Sequence, residues 1–319
     1  MTRSRRAKLT ALVSVAAIAM ASATIGGTQG AFAGQTDEGL NVITAMPDFR
    51  GPTVSPIAIG KDSGGATGFI RTGATYRIYA QVADVGSPAS GTAAVLANAS
   101  NLTVGQIAVP LVAGSYTAGG TSYNYRSAVL TAGTLPNGAL TFSVTATDAA
   151  ANVTVTNGSV TGDSTAPAAS NISASGGIAG RPEVGDVLTL TTNDTLDTYS
   201  LLANWTGAAT TVQVRIVNQG GGDRLQVWDS TGLTQLPFGT INLGRTDFTT
   251  ATLAFNGSTM TQAGTAITIT LGAPVVGVQT TVAGTGTMAW NPSATATDRA
   301  GNAMTTGNYN EPAPVDIDF

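Results

Sequence analysis

The chain has 319 residues, with 42% hydrophobic content, 10% charged residues, 40 Gly, no Cys and no His. Length points to about two domains of ordinary size, and the apolar content suffices for packed cores. Without His or Cys there is no Ser-His-Asp or Cys-His catalysis, no His or thiolate zinc site and no disulfide.

The first 33 residues read as a cleaved secretory signal peptide. Arg3, Arg5, Arg6 and Lys8 form a basic start, an apolar run follows from Leu9 to about Ile25, and Ala31-Phe32-Ala33 supplies a small-x-small cleavage pattern. The expected location is therefore extracellular, secreted or associated with the cell surface. Removing the leader leaves ten basic residues against 18 acidic ones, a net charge near −8. Such a chain is a poor partner for nucleic acid or anionic membrane. No later segment reaches the roughly 20 apolar residues of a membrane span.

Strands follow by their period of two. In 76–82, Tyr76, Ile78, Ala80 and Val82 share the expected inner face, and Arg77, Tyr79 and Gln81 the outer one. In 140–146, Leu140, Phe142, Val144 and Ala146 point in and the Ser/Thr set points out. One wet face and one dry face mark antiparallel strands of a sandwich. The segment Thr161–Pro167 is short, polar and proline-marked, so it divides a first domain, 34–162, from a second, 163–319. In the second, Val187–Thr192 reads as a strand. Val212, Val214 and Ile216 alternate inward, as do Ile267, Ile269 and Leu271. A short helix is expected over Thr198–Trp205, capped by Asp197, with Leu201, Leu202 and Trp205 facing the core.

One internal repeat ties the halves together. Residues 145–152, Thr-Ala-Thr-Asp-Ala-Ala-Ala-Asn, and residues 295–302, Thr-Ala-Thr-Asp-Arg-Ala-Gly-Asn, agree at six of eight positions. A domain-sized repeat implies two related units in tandem. From Asp84 to Asp148 is 64 residues and from Asp194 to Asp298 is 104, so about 40 residues are inserted in the second unit.

The Tyr/Thr-rich strand, the linker Asp-Ser-Thr-Ala-Pro and the Asp-x-Ala-x-Asn turn together resemble bacterial immunoglobulin-like repeats of surface and secreted proteins. The resemblance implies two tandem Ig-like antiparallel β-sandwiches, the second with a short helical insert. It also implies adhesion, spacing or matrix assembly, sometimes with bound calcium. The expected partner is a cell-envelope or extracellular polymer or another protein.

Two readings stay open for the Asp-x-Ala-x-Asn turns. Asp148 and Asp298 can simply hold a hairpin through backbone N–H groups. Alternatively they bind Ca²⁺, which needs six to eight oxygens. A sandwich brings the linker, the end of the second strand and the last hairpin to one pole. That gathers Asp163, Asp194 and Asp298 between the domains, and Asp84 with Asp148 in the first domain. Trp205 and Trp290 are expected in the core. Trp228 lies opposite Leu225 and Val227, hence outward, where it could stack on a sugar, or the insert could cover it. Asp316 and Asp318 alternate as a solvated edge or as ion ligands. The expected role is non-catalytic and structural or adhesive, with a carbohydrate-binding module as the alternative. A hydrolase built on paired Asp residues comes third.

Overall fold

Side chains that alternate between apolar and polar can be satisfied by extended chain with one face buried. The computed structural model describes residues 48–319 apart from 278, 283, 315 and 316; the expected signal peptide lies outside the described residues. Among the described residues the fold is all-β, two antiparallel sheets and one helical turn. Among the described residues no helix is long and apolar enough to cross a membrane.

The first sheet comprises β1 (Thr53–Lys61), β2 (Phe69–Ile70), β3 (Thr75–Ala83), β4 (Thr92–Asn98), β5 (Val109–Ala118), β6 (Thr121–Ser127), β7 (Leu130–Thr131), β8 (Gly138–Asp148) and β9 (Val153–Gly162). Its order is β1-β3-β6-β5-β4-β8-β9-β2, with β7 beside β3. Pairing is antiparallel except for the two-residue match of β2 with β9. Strand β5 pairs with β4 through Val109 and Pro110 and with β6 from Leu111 onward, so it links two layers. Ile78 and Val82 of one layer meet Val95, Phe142 and Val144 of the other in a single core. Each such buried side chain contributes about 1.5–3 kcal/mol.

Tyr79, expected outside, is instead buried. It does sit on the outer face of β3, but the Tyr123 ring covers it at 5.5 Å, and Gly60 opposite leaves room for its edge. Alternation placed its direction correctly but carried no information on what packs over that face.

The second sheet comprises β10 (Ala169–Ser175), β11 (Val187–Thr192), β12 (Thr210–Val217), β13 (Arg224–Asp229), β14 (Thr240–Asn242), β15 (Leu253–Ala263), β16 (Ala266–Thr270), β17 (Ala273–Val276), β18 (Ala289–Asn291) and β19 (Tyr309–Asn310). The order is β10-β11-β16-β15-β12-β13-β14-β18-β19, with β17 beside β15. Leu188, Leu190, Val214, Ile216, Ile267, Ile269 and Trp290 share its core.

The helix expected over Thr198–Trp205 is a single turn, α1 (Thr198–Leu201). Asp197 caps it as expected, accepting from the Tyr199 N–H at 3.1 Å. It stops because Leu202 turns extended and Asn204 adopts a left-handed φ of 63°. Leu201 and Trp205 are buried even so, whereas Leu202 is half-buried. The Trp205 loop is held by its indole N–H on the Ala208 carbonyl (2.7 Å) and the Thr198 hydroxyl on the Trp205 carbonyl (2.6 Å). The C-terminus also departs from expectation. Asp316 lies outside the described residues. Asp318 is buried rather than on a solvated edge, because the Phe319 ring turns into the core against Phe248 at 5.9 Å.

The two halves meet at a polar joint. Lys61, the last residue of β1, donates to the Asp197 carboxylate at 2.6 Å and to the Arg299 carbonyl at 2.7 Å. Arg71 donates to the Gly301 carbonyl at 2.9 Å, and the Arg299 guanidinium lies 4.0 Å over the Phe69 ring. The contacts of the second half cluster on α1's cap and on the 298–302 turn.

Candidate functional site

Each half carries the same tight turn after a long run of chain. In the first, Asp148 accepts the Asn152 backbone N–H at 2.8 Å and its side-chain amide at 2.8 Å. In the second, Asp298 accepts the same two groups of Asn302 at 2.9 and 2.8 Å. The fourth residue of each turn is left-handed, Ala151 at φ 66° and Gly301 at φ 91°. The Asn amide also reaches across the pole, to the Asp48 carbonyl at 3.3 Å in one half and the Asp163 carbonyl at 3.0 Å in the other. The turn therefore ties the entry of its own half to its exit, so the hairpin-holding reading is met in both copies.

The same geometry collects acid. Asp163, Asp194 and Asp298 place a carboxylate oxygen each within 4.8 Å of one another. Asp48, Asp84 and Asp148 do likewise at the pole of the first half. Two oxygens bound to one Ca²⁺ at about 2.4 Å cannot lie more than about 4.8 Å apart, so both trios fit a shared ion. Like charges this close repel each other, and although solvent around the half-buried members screens the repulsion, each trio forms an anionic pole that a divalent cation would neutralise. The donors are hard oxygens, which suits Ca²⁺ or Mg²⁺ rather than a thiophilic metal.

The two trios differ in how fully they are already engaged. Asp48 accepts from Arg50 and Ser90, and Asp84 from Gly86 and Gly91, so all four oxygens are occupied. At the joint, Asp163 accepts only from Thr165 and Asp194 only from Thr195, leaving one oxygen on each without a hydrogen bond among the described residues. Burial pushes the Asp298 carboxyl above its ordinary value, against the pull of Asn302, and the Asp163 charge adds to the rise. Backbone donation by Arg50 holds the Asp48 carboxyl below its ordinary value. The joint trio is the more open of the two.

All five Asp residues anticipated from the sequence thus fall into trios. Asp48 was missed. A signal for it exists: Asp48-Phe49-Arg50-Gly51-Pro52 and Asp163-Ser164-Thr165-Ala166-Pro167 share Asp-x-x-x-Pro at the start of each half. The other anticipated site residue, Trp228, is far less open than an outward position suggests. It is half-buried, the Arg215 guanidinium covers its ring at 4.1 Å, and its indole N–H donates to Gln226 at 3.2 Å. Asp223, in the glycine-rich 219–223 loop, is fully buried and accepts the N–H groups of Gln219, Phe248 and Thr249, so that loop is a structural knot, with no open phosphate cradle. No protein-family model matches the chain, and no curated protein matches it.

Proposed function

We propose that this is an exported, non-catalytic structural or adhesive protein of two Ig-like β-sandwiches, whose poles bind calcium and whose joint is stiffened by it. The observation that carries the reading is the repeated trio. One cluster caps the first half, and its counterpart lies between the halves beside the Lys61–Asp197 pair. A cation there would tie the linker (Asp163), the end of β11 (Asp194) and the last turn (Asp298) into one piece. A spacer or adhesin exposed to shear needs such a joint.

The acidic residues support a structural role over a hydrolytic one. Three carboxylates that each bring one oxygen within 4.8 Å of the others suit a shared cation. Asp62 and Asp197 border the groove between the halves, but Arg77 and Lys61 engage them at 2.6 Å each.

Scanning calorimetry of the chelator-treated protein tests the proposal. Calcium is expected to raise the melting temperature of both halves, the second more. No calcium-dependent rise would remove the cation from the reading. Culture fractionation into medium, wall and membrane tests the export half of it, with retention in the cytoplasm as the contrary result.

A further inference from the structure

A cavity of about 690 Å³ opens between the halves, with Asp197 in its lining. That volume is within the range of ligand pockets, roughly 300–1,000 Å³. One wall is the outer face of the first sheet, where Tyr79 lies, with the β5–β6 hairpin tip resting on the 63–68 loop. A Cβ on Gly119 would come within 2.7 Å of Thr67, so this close approach depends on glycine. The opposite wall is α1 and the loop after it, carrying Tyr199, Asn204 and Trp205.

The chemistry of this lining is selective. It contains no Leu, Ile, Val, Phe or Met. Its aliphatic side chains are only Ala66 and Ala118, so a bulky hydrophobic group would find little to pack against. Beside its glycines and alanines it offers hydroxyl, amide and aromatic surface. Tyr199 is 42% exposed, the one large aromatic of the lining with a free ring surface. Aromatic rings stack on the C–H faces of sugars while flanking Thr and Asn groups bond their hydroxyls.

Charge narrows the class further. Lys61 is neutralised by Asp197, and Asp62 by Arg77. Arg126 also lines the cavity; its guanidinium stacks 4.3 Å over the Tyr116 ring and donates to no carboxylate or carbonyl among the described residues. A stacked guanidinium with its fork unspent is built to take a carboxylate. In a chain with more acidic than basic residues, this is a local cationic spot facing a hydroxyl-rich groove.

We propose that the interdomain cavity binds a carboxylated oligosaccharide, with Tyr199 stacking on a sugar ring and Arg126 forking a uronate carboxylate. This names the partner class of the adhesive role above and rests on that reading. Neither residue belongs to a carboxylate trio, so the calcium experiment and this one fail independently.

Isothermal titration with tetragalacturonate, a hyaluronan tetrasaccharide, cellotetraose and poly-glutamate tests it. Binding of at least one acidic sugar is expected, with neither cellotetraose nor poly-glutamate matching it. Arg126→Gln should weaken that binding at least tenfold, and Tyr199→Ala likewise, both with unchanged melting temperature. Absence of binding by both acidic tetrasaccharides overturns the proposal. So does binding that survives both variants, or equal binding of poly-glutamate, which would show recognition of charge alone.

Discussion

Asp298 does two things at once: it clamps a turn and it carries a buried charge into a trio. Its replacement separates them. Asp298→Asn keeps the size and one acceptor but removes the charge, so the calcium-dependent stabilisation of the second half should vanish while that of the first half persists; calorimetry with and without calcium reads both. The buried carboxyl also sets a pH dependence. Its value is raised in the folded chain, so the protonated form is favoured there, and this group adds no penalty below the ordinary carboxylate range. Stability is then lost as pH rises through the raised value. In chelator, the second half should melt lower at neutral than at weakly acid pH, and calcium should erase that decline at neutral pH. Scanning calorimetry across buffers would contradict this if the metal-free melting temperature climbed toward neutrality. Five of the six trio residues were legible because a sandwich pole fixes which chain segments meet. Asp48 was not read, although its Asp-x-x-x-Pro segment repeats that of Asp163, because no linker precedes the first half to mark where it enters the pole.

Among the elements, the joint between β1 and the cap of α1 is the most consequential. Lys61 and Asp197 are 6% and 4% exposed, so neither charge has water to fall back on. Lys61→Met should leave Asp197 buried without its cation, at a cost of about 3–5 kcal/mol. Urea unfolding should then resolve into two transitions. Gly65→Ala is an independent probe: its Cβ would fall 2.2 Å from an Asp197 oxygen, at a φ of +87° that disfavours any side chain. A single coupled transition in both variants would show that the halves do not depend on this contact. The strands themselves were readable from alternation; Val187–Thr192, for instance, has the bounds expected of it. The helix was not, because the apolar spacing of Leu201 and Trp205 is met equally well by one turn followed by a loop that brings Trp205 back to the core. The burial of Tyr79 was illegible for a related reason: period two assigns a face, not the hairpin that later covers it.

For the whole molecule, orientation of the halves is the property that matters to a spacer or adhesin, and three groups of contacts set it: the Lys61 pair, the Arg71 and Arg299 contacts with the 298–302 turn, and the joint trio. Small-angle scattering should match the structure for the parent in calcium and broaden toward larger dimensions for Lys61→Met in chelator. Identical curves would mean that the remaining contacts hold the arrangement alone. The same lysine has a practical side. Lys8 and Lys61 are the only lysines in the chain. Lys61 carries the one ε-amine among the described residues, and it is shielded, so an amine-acylating reagent can reach it only when the halves part. The rate at which that residue gains mass is a built-in clock for breathing at the hinge, needing no introduced label.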